Sequence, residues 1–277
     1  MRRLMKGFVI LTILAATLAS CSKKESTSAA DKGQGDPLVV AMELQFPPFE
    51  MADADGTPTG ISVDTAYALG EYLGRPVIIE NTSWTGLIPS IQSGKADLIL
   101  SSMSITEERD KVVDFSIPYA ASGVTLLLNA ESRVKSYRDL SAAGTVTAVK
   151  SGTIGAIWAR DNLPEENIRI FDEVAACALE VSQGKADAFI YDALTTYELQ
   201  KKFPDTTVVN LENIPGTLGG WAVAMKEGNS ELKEQVDAFI LEFRSSGGFE
   251  KLEKKYLGEM KSVFDEAGLP SFFDIED

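Results

Sequence analysis

One segment of the chain occurs twice. Gly94 to Arg109 reads GKADLILSSMSITEER, and its opening recurs ninety residues later as GKADAFIYD, Gly184 to Asp192. In each copy a helical pattern stops at a glycine that can take the left-handed C′ conformation. Lys-Ala-Asp follows, then a short apolar run, Leu98-Ile99-Leu100 or Ala188-Phe189-Ile190. Each run ends in polar residues, Ser101-Ser102 in the first copy and Tyr191-Asp192 in the second. In open α/β sheets, ligands bind beyond the carboxyl ends of strands. Two matching strand ends in two halves of one chain therefore predict two lobes facing across a cleft.

Residues 1–21 read as an address. Arg2, Arg3 and Lys6 precede an apolar run, Phe8 to Leu14, that is too short for an ordinary transmembrane span. Leu18-Ala19-Ser20-Cys21 is a secretory cleavage pattern with cysteine after the small pair, and it resembles the bacterial lipobox. That resemblance implies a lipoprotein signal peptide, with Cys21 lipidated and acyl chains as the only membrane anchor. An ordinary signal peptide with an incidental cysteine is the alternative. Residues 22–36 (SKKESTSAADKGQGD) are small and polar, and read as a flexible tether.

About 240 residues remain, enough for two modest domains with cores of their own. The chain has 41 acidic and 26 basic residues. Three of the bases lie in the leader, which leaves 23 against 41 and a charge near −18. Such a surface argues against nucleic acid or anionic lipid as a partner. There is no histidine, so imidazole acid–base chemistry is excluded and a zinc site would need carboxylates and thiols alone. No metal or other cofactor is expected. With Cys21 lipidated, Cys177 would be the remaining thiol, and its setting in EVAACALEV reads as a small core residue of a helix.

Strands and helices alternate along the rest, the pattern of α/β layers. Strands are predicted at 38–42, 77–80, 98–101, 124–129, 146–149 and 221–225. Helices are predicted at 62–73, 84–93, 154–162, 173–182, about 193–201, 231–245 and 249–257, and a hairpin at Asp55-Gly56. The expected division is lobe 1 over 37–122 plus 217–261, lobe 2 over 123–216, and an acidic tail with a few aromatics over 262–277.

FPPFEMADADGTPTGISVDTAYAL and SWTGLIPSIQSGKADLILSSMSITEERDKVVDFSIPY, with AVKSGT, GKADAFIYD and SSGGFEKLEKKYLG, resemble family 3 extracytoplasmic solute-binding proteins over Leu38 to Gly258. These feed amino acids to ABC transporters. The resemblance implies the type II periplasmic-binding-protein fold, two α/β lobes joined by two crossover strands and closing on a ligand. It further implies a monomer with an ABC permease as partner, located outside the cytoplasm.

A free amino acid needs its carboxylate and ammonium neutralised together in a nearly dry cleft. Arg109 suits the carboxylate, since a guanidinium makes two parallel charge-assisted bonds. It lies five residues past Ser104, which resembles an N-cap with Glu107 completing a capping box. Otherwise Arg109 is a surface charge paired with Glu107 or Asp110. Asp192 matches the family's ammonium-binding aspartate, and could alternatively cap the following helix. Ser102 and Ser104 would add a backbone carbonyl and a hydroxyl, and Thr153 with the N–H groups near Ile154 a second helix start for the carboxylate. Phe46 and Trp84 match positions whose rings flank the ligand, with core aromatics as the other reading.

Glu43 and Lys150 bear on the ligand's side chain. If both point inward they could read a terminal amide, which favours glutamine; Glu43 could instead pair with Lys150. A basic amino acid is the next reading, with Glu43 and two rings holding its cation. Beside an importer's binding protein stand a ligand-sensing surface lipoprotein and a dehydratase-type enzyme on the same scaffold. Absent histidine and the paired zwitterion groups argue against the enzyme.

Overall fold

The two GKAD copies begin strands at equivalent places in two similar sheets. The structure is a computed structural model, and it describes residues 35–258, 264 and 271–275. The leader with Cys21, nearly all of the tether and much of the tail lie outside the described residues.

In chain order, β1 (Leu38–Met42) leads to a small three-stranded sheet of β2 (Gln45–Phe46), β3 (Glu50–Ala52) and β4 (Pro58–Thr59). Then come α1 (Ile61–Leu73), β5 (Val77–Asn81), a 3-10 turn at Trp84–Gly86 and α2 (Leu87–Gln92). They are followed by β6 (Leu98–Ile99), the single turn α3 (Glu107–Asp110) and β7 (Asp114–Phe115). The chain crosses on β8 (Ala120–Ser122) into β9 (Val124–Asn129), β10 (Thr147–Lys150), α4 (Ile154–Asn162) and β11 (Ile168–Phe171). Next are α5 (Val174–Ser182), β12 (Ala188–Asp192), α6 (Ala193–Lys202) and β13 (Thr207–Asn210). It returns on β14 (Gly219–Trp221) to β15 (Ala224–Met225), α7 (Ser230–Ser245) and α8 (Gly248–Tyr256).

Lobe 1 has the strand order β5-β1-β6-β15-β7, and lobe 2 the order β11-β10-β12-β9-β13. In each, a central strand is parallel to both neighbours and the next strand beyond is antiparallel. The crossover strands β8 and β14 pair antiparallel, Ala120 with Trp221 through Ser122 with Gly219.

The repeat does the same structural work in both lobes. Gly94 and Gly184 have φ of 75° and 68°, a conformation that an L side chain resists. Their N–H groups close the preceding helices on Ile91 and Val181. The Asp97 carboxylate accepts the N–H of Val39 and that of Asp187 accepts the N–H of Val146, each at the start of the central strand. These acids satisfy the first strand amides of each sheet, where an unpaired N–H would be costly.

Cys177 is fully buried in α5, as its apolar setting predicts. The expected strand 221–225 is two pieces, because Trp221 belongs to the crossover pair and Ala224 to the main sheet of lobe 1. The chain first passes between the lobes on β8, and β9 is already an antiparallel member of the second sheet. The described part of the tail packs on lobe 1 and the crossover. Phe272 is buried against Phe49 and Trp221, with ring centroids 5.0 and 5.6 Å away, and its carbonyl accepts the N–H of Ala121 on β8. Among the described residues no helix is long and apolar enough to cross a membrane.

Candidate functional site

Between the lobes, a cavity lies at the carboxyl ends of β1, β6, β10 and β12. Nine of the ten expected binding residues line it: Glu43, Phe46, Trp84, Ser102, Ser104, Arg109, Thr153, Ile154 and Asp192. Lys150 does not. It lies behind the wall, 1% exposed, with its ammonium paired to the Glu43 carboxylate from the other lobe. The amide-reading arrangement, with both side chains presented to a ligand, is therefore replaced by the internal pair. Glu43 also accepts the N–H of Trp84 at 3.1 Å, and its own N–H donates to the Ser101 hydroxyl.

Arg109 is buried and donates to two carbonyls, that of Ser104 in lobe 1 and that of Gly152 in lobe 2 at 2.9 Å. It lies 5.3 Å from the Trp84 ring centroid, within cation–π range. Burial lowers its pKa to about 10, which leaves it charged at neutral pH. Its protons thus rest on neutral oxygens, a placement that a carboxylate would improve. The expected cap is corrected: Thr106, not Ser104, caps α3 and accepts the Arg109 N–H, with φ −140° and ψ 154°. Ser104 is held two residues earlier as a β-bridge partner of Trp221, so it cannot start the helix.

Asp192 ends β12 and caps α6, its Oδ1 accepting the Thr195 N–H at 2.9 Å. Its Oδ2 is buried without a hydrogen-bond partner. Burial raises this carboxyl to about 6, against the lowering effect of the Thr195 N–H. A lone carboxylate oxygen in a cavity wall is an unfilled acceptor for a cation. Thr153 caps α4 by position, but its hydroxyl donates to the Lys150 carbonyl, so the helix-start N–H groups are not taken by it.

Sequence reasoning passed over Glu50, Ser101, Val124, Gly155, Tyr191 and Trp221, which also line the cavity. Phe46 packs edge-on to Tyr191 and Trp221 at 6.2 and 5.8 Å, which closes the aromatic wall from both lobes. Glu50 is 1% exposed and accepts hydroxyls from Ser62, Ser101 and Ser102; burial pushes its pKa up to about 8. Its only sequence signal was an acid after Pro-Pro-Phe. Among the described residues no cluster of carboxylates or thiols could hold a metal ion.

The family model for bacterial extracellular solute-binding proteins, family 3, matches residues 38–259. The chain belongs to that family. A family 3 relative, the L-cystine-binding protein TcyJ of Escherichia coli K12, is 30% identical over 259 residues, covering 93% of this chain and 96% of the relative. The ABC transporter glutamine-binding protein GlnH of Bacillus subtilis 168 is also 30% identical, over 246 residues, 87% of this chain and 88% of the relative. An ancestral arginine-binding protein bound to glutamine is 30% identical, with a TM-score of 0.73 over 80% of this chain and 98% of that one. The fold is that of the type II periplasmic binding proteins. These family 3 relatives bind amino acids, and those named here are binding proteins rather than enzymes.

Proposed function

We propose that this family 3 protein captures a free, neutral, polar L-amino acid, glutamine foremost, by lobe closure and delivers it to an ABC importer. On this reading it is a monomer held outside the cytoplasm by lipid on Cys21, with residues 22–36 as its tether. The observation that carries the ligand class is the opposed pair of buried charges. Arg109 and the unpartnered Oδ2 of Asp192 line one cavity from two lobes, and neither is neutralised by a charged side chain. A zwitterion supplies both missing partners at once.

The Glu43–Lys150 pair bears on the side chain. Lys150 already neutralises Glu43, and burial keeps Glu50 largely protonated at neutral pH, so beyond Arg109 and Asp192 the wall offers no free charge for a cationic or anionic side chain. This favours a neutral ligand over arginine or lysine. Glutamine is the proposed ligand; cystine, the ligand in TcyJ's name, is net neutral but would bring a second ammonium and carboxylate to the side-chain end, and ranks behind it.

The test is a thermal-shift and calorimetric screen of residues 22–277 against the twenty L-amino acids and L-cystine. A ligand at a hundred times its Kd stabilises the folded state by about 2.7 kcal/mol. The expected result is a large shift with glutamine and little with arginine or lysine. A shift confined to the cationic amino acids would reverse the assignment of the side-chain end, and no shift with any of them would reject the amino-acid reading.

A further inference from the structure

Ser102 stands at the cavity wall with φ of 48°, the one non-glycine residue with positive φ among the described residues. An L side chain resists the left-handed region, so something must hold it there. Two buried side chains do. The Ser102 hydroxyl donates to Glu50 Oε2 at 3.1 Å, and the Ser102 N–H donates to the Tyr119 hydroxyl at 3.2 Å. The same Glu50 oxygen accepts the hydroxyl of Ser62, on the first turn of α1, at 2.6 Å. Glu50 Oε1 accepts the hydroxyl of Ser101, which in turn accepts the Glu43 N–H. One acid thus ties β3, the start of α1, the end of β1 and the loop after β6 at a single point.

We propose that Glu50 is the positioning residue of the binding site, locking Ser102 in its left-handed conformation so that the backbone of this loop faces the ligand. The proposal rests on reading the cavity as the amino-acid site. Glu50 need not touch the ligand. Its effect passes through one backbone torsion, and that makes it separable by substitution. Glycine adopts positive φ without a side-chain penalty, so Ser102→Gly makes the lock unnecessary. Ser102→Ala keeps the penalty and removes the hydroxyl.

The experiment measures affinity by calorimetry, on the chain from residue 22, for whichever of the twenty L-amino acids and L-cystine binds the parent best. Glu50→Met, similar in volume but without acceptor oxygens, should weaken binding about tenfold, the worth of a lost hydrogen bond plus the unpaired hydroxyls. Glu50→Gln, which keeps a carbonyl acceptor, should stay within about threefold of the parent. Ser102→Gly should restore Glu50→Met to within about threefold, and Ser102→Ala alone should lose more than Ser102→Gly alone. Parent-like binding by Glu50→Met, or its failure to recover on adding Ser102→Gly, overturns the proposal. Urea unfolding of ligand-free protein separates this from the site reading: Ser102→Ala should unfold at lower urea than Ser102→Gly, whether or not any amino acid binds. Equal midpoints overturn the lock, and a parent that binds nothing overturns the site.

Discussion

Arg109 and Asp192 are buried charges awaiting partners, and each substitution has a distinct signature. Arg109→Ala should weaken amino-acid binding at least about a hundredfold, because the ligand carboxylate would be buried unpaired; titration calorimetry reads this directly. Lys150→Ala acts differently, since Lys150 is behind the wall. It strands Glu43 as a buried lone carboxylate, so unfolding free energy should fall by about 3–5 kcal/mol. The ligand ranking should move toward arginine and lysine, and an unchanged ranking in the thermal screen would count against the neutral-ligand reading. At this scale the sequence was most informative where charge chemistry is specific: Arg109 on α3 and Asp192 at the end of β12 were named from their motifs, and both line the cavity. Glu50 could not. Its value arises only when β3 folds against α1 and the loop after β6, bringing Ser62, Ser101 and Ser102 onto one carboxyl.

Elements were legible where burial sets a clear period. The boundaries of β1, β9 and α4 coincide with those expected from apolar runs and flanking turn residues. They blurred where tertiary pairing cuts a run. Trp221 to Met225 is continuous in hydropathy, yet serves two sheets. The repeated Asp97 and Asp187 signalled two lobes, but their job is to clamp strand starts rather than to meet a ligand. Asp187→Ala should therefore destabilise the protein by about 1–3 kcal/mol through the freed Val146 N–H and Ser132 hydroxyl. Its affinity at saturating fold should be unchanged, and a loss of affinity without loss of stability would contradict that role. Gly155 on α4 is constrained by approach: a Cβ there would lie 2.6 Å from the Ile190 carbonyl of β12. Gly155→Ala should push the helix start away from the cavity and weaken binding, as calorimetry against the parent protein would show.

For the whole molecule, the buried acids impose an opposed pH dependence on stability and binding. Glu50 and Asp192 are raised by burial to about 8 and about 6, above ordinary carboxyl values. The native state then holds more protons than the unfolded chain from about pH 4 to pH 8, so ligand-free stability is greatest at the acid end and falls as pH rises through that window. Binding of an ammonium group to Asp192 runs the other way, weakening as pH falls below about 6. Urea midpoints and calorimetric affinities at pH 5, 6.5 and 8 should cross in this manner, and Asp192→Asn should remove the binding limb.

The lobes are stitched across the cleft by the Arg109–Gly152 bond and the Glu43–Lys150 pair, while the chain crosses between them on β8 and β14. The tail meets that crossover: the Phe272 carbonyl accepts the Ala121 N–H, and its ring stacks on Trp221, itself part of the cavity wall. Phe272 thus ties the described part of the tail to the crossover strands. On the proposed closure, a fluorophore beside Phe272 should report lobe movement from outside the cleft, and a bulky tag there should slow it.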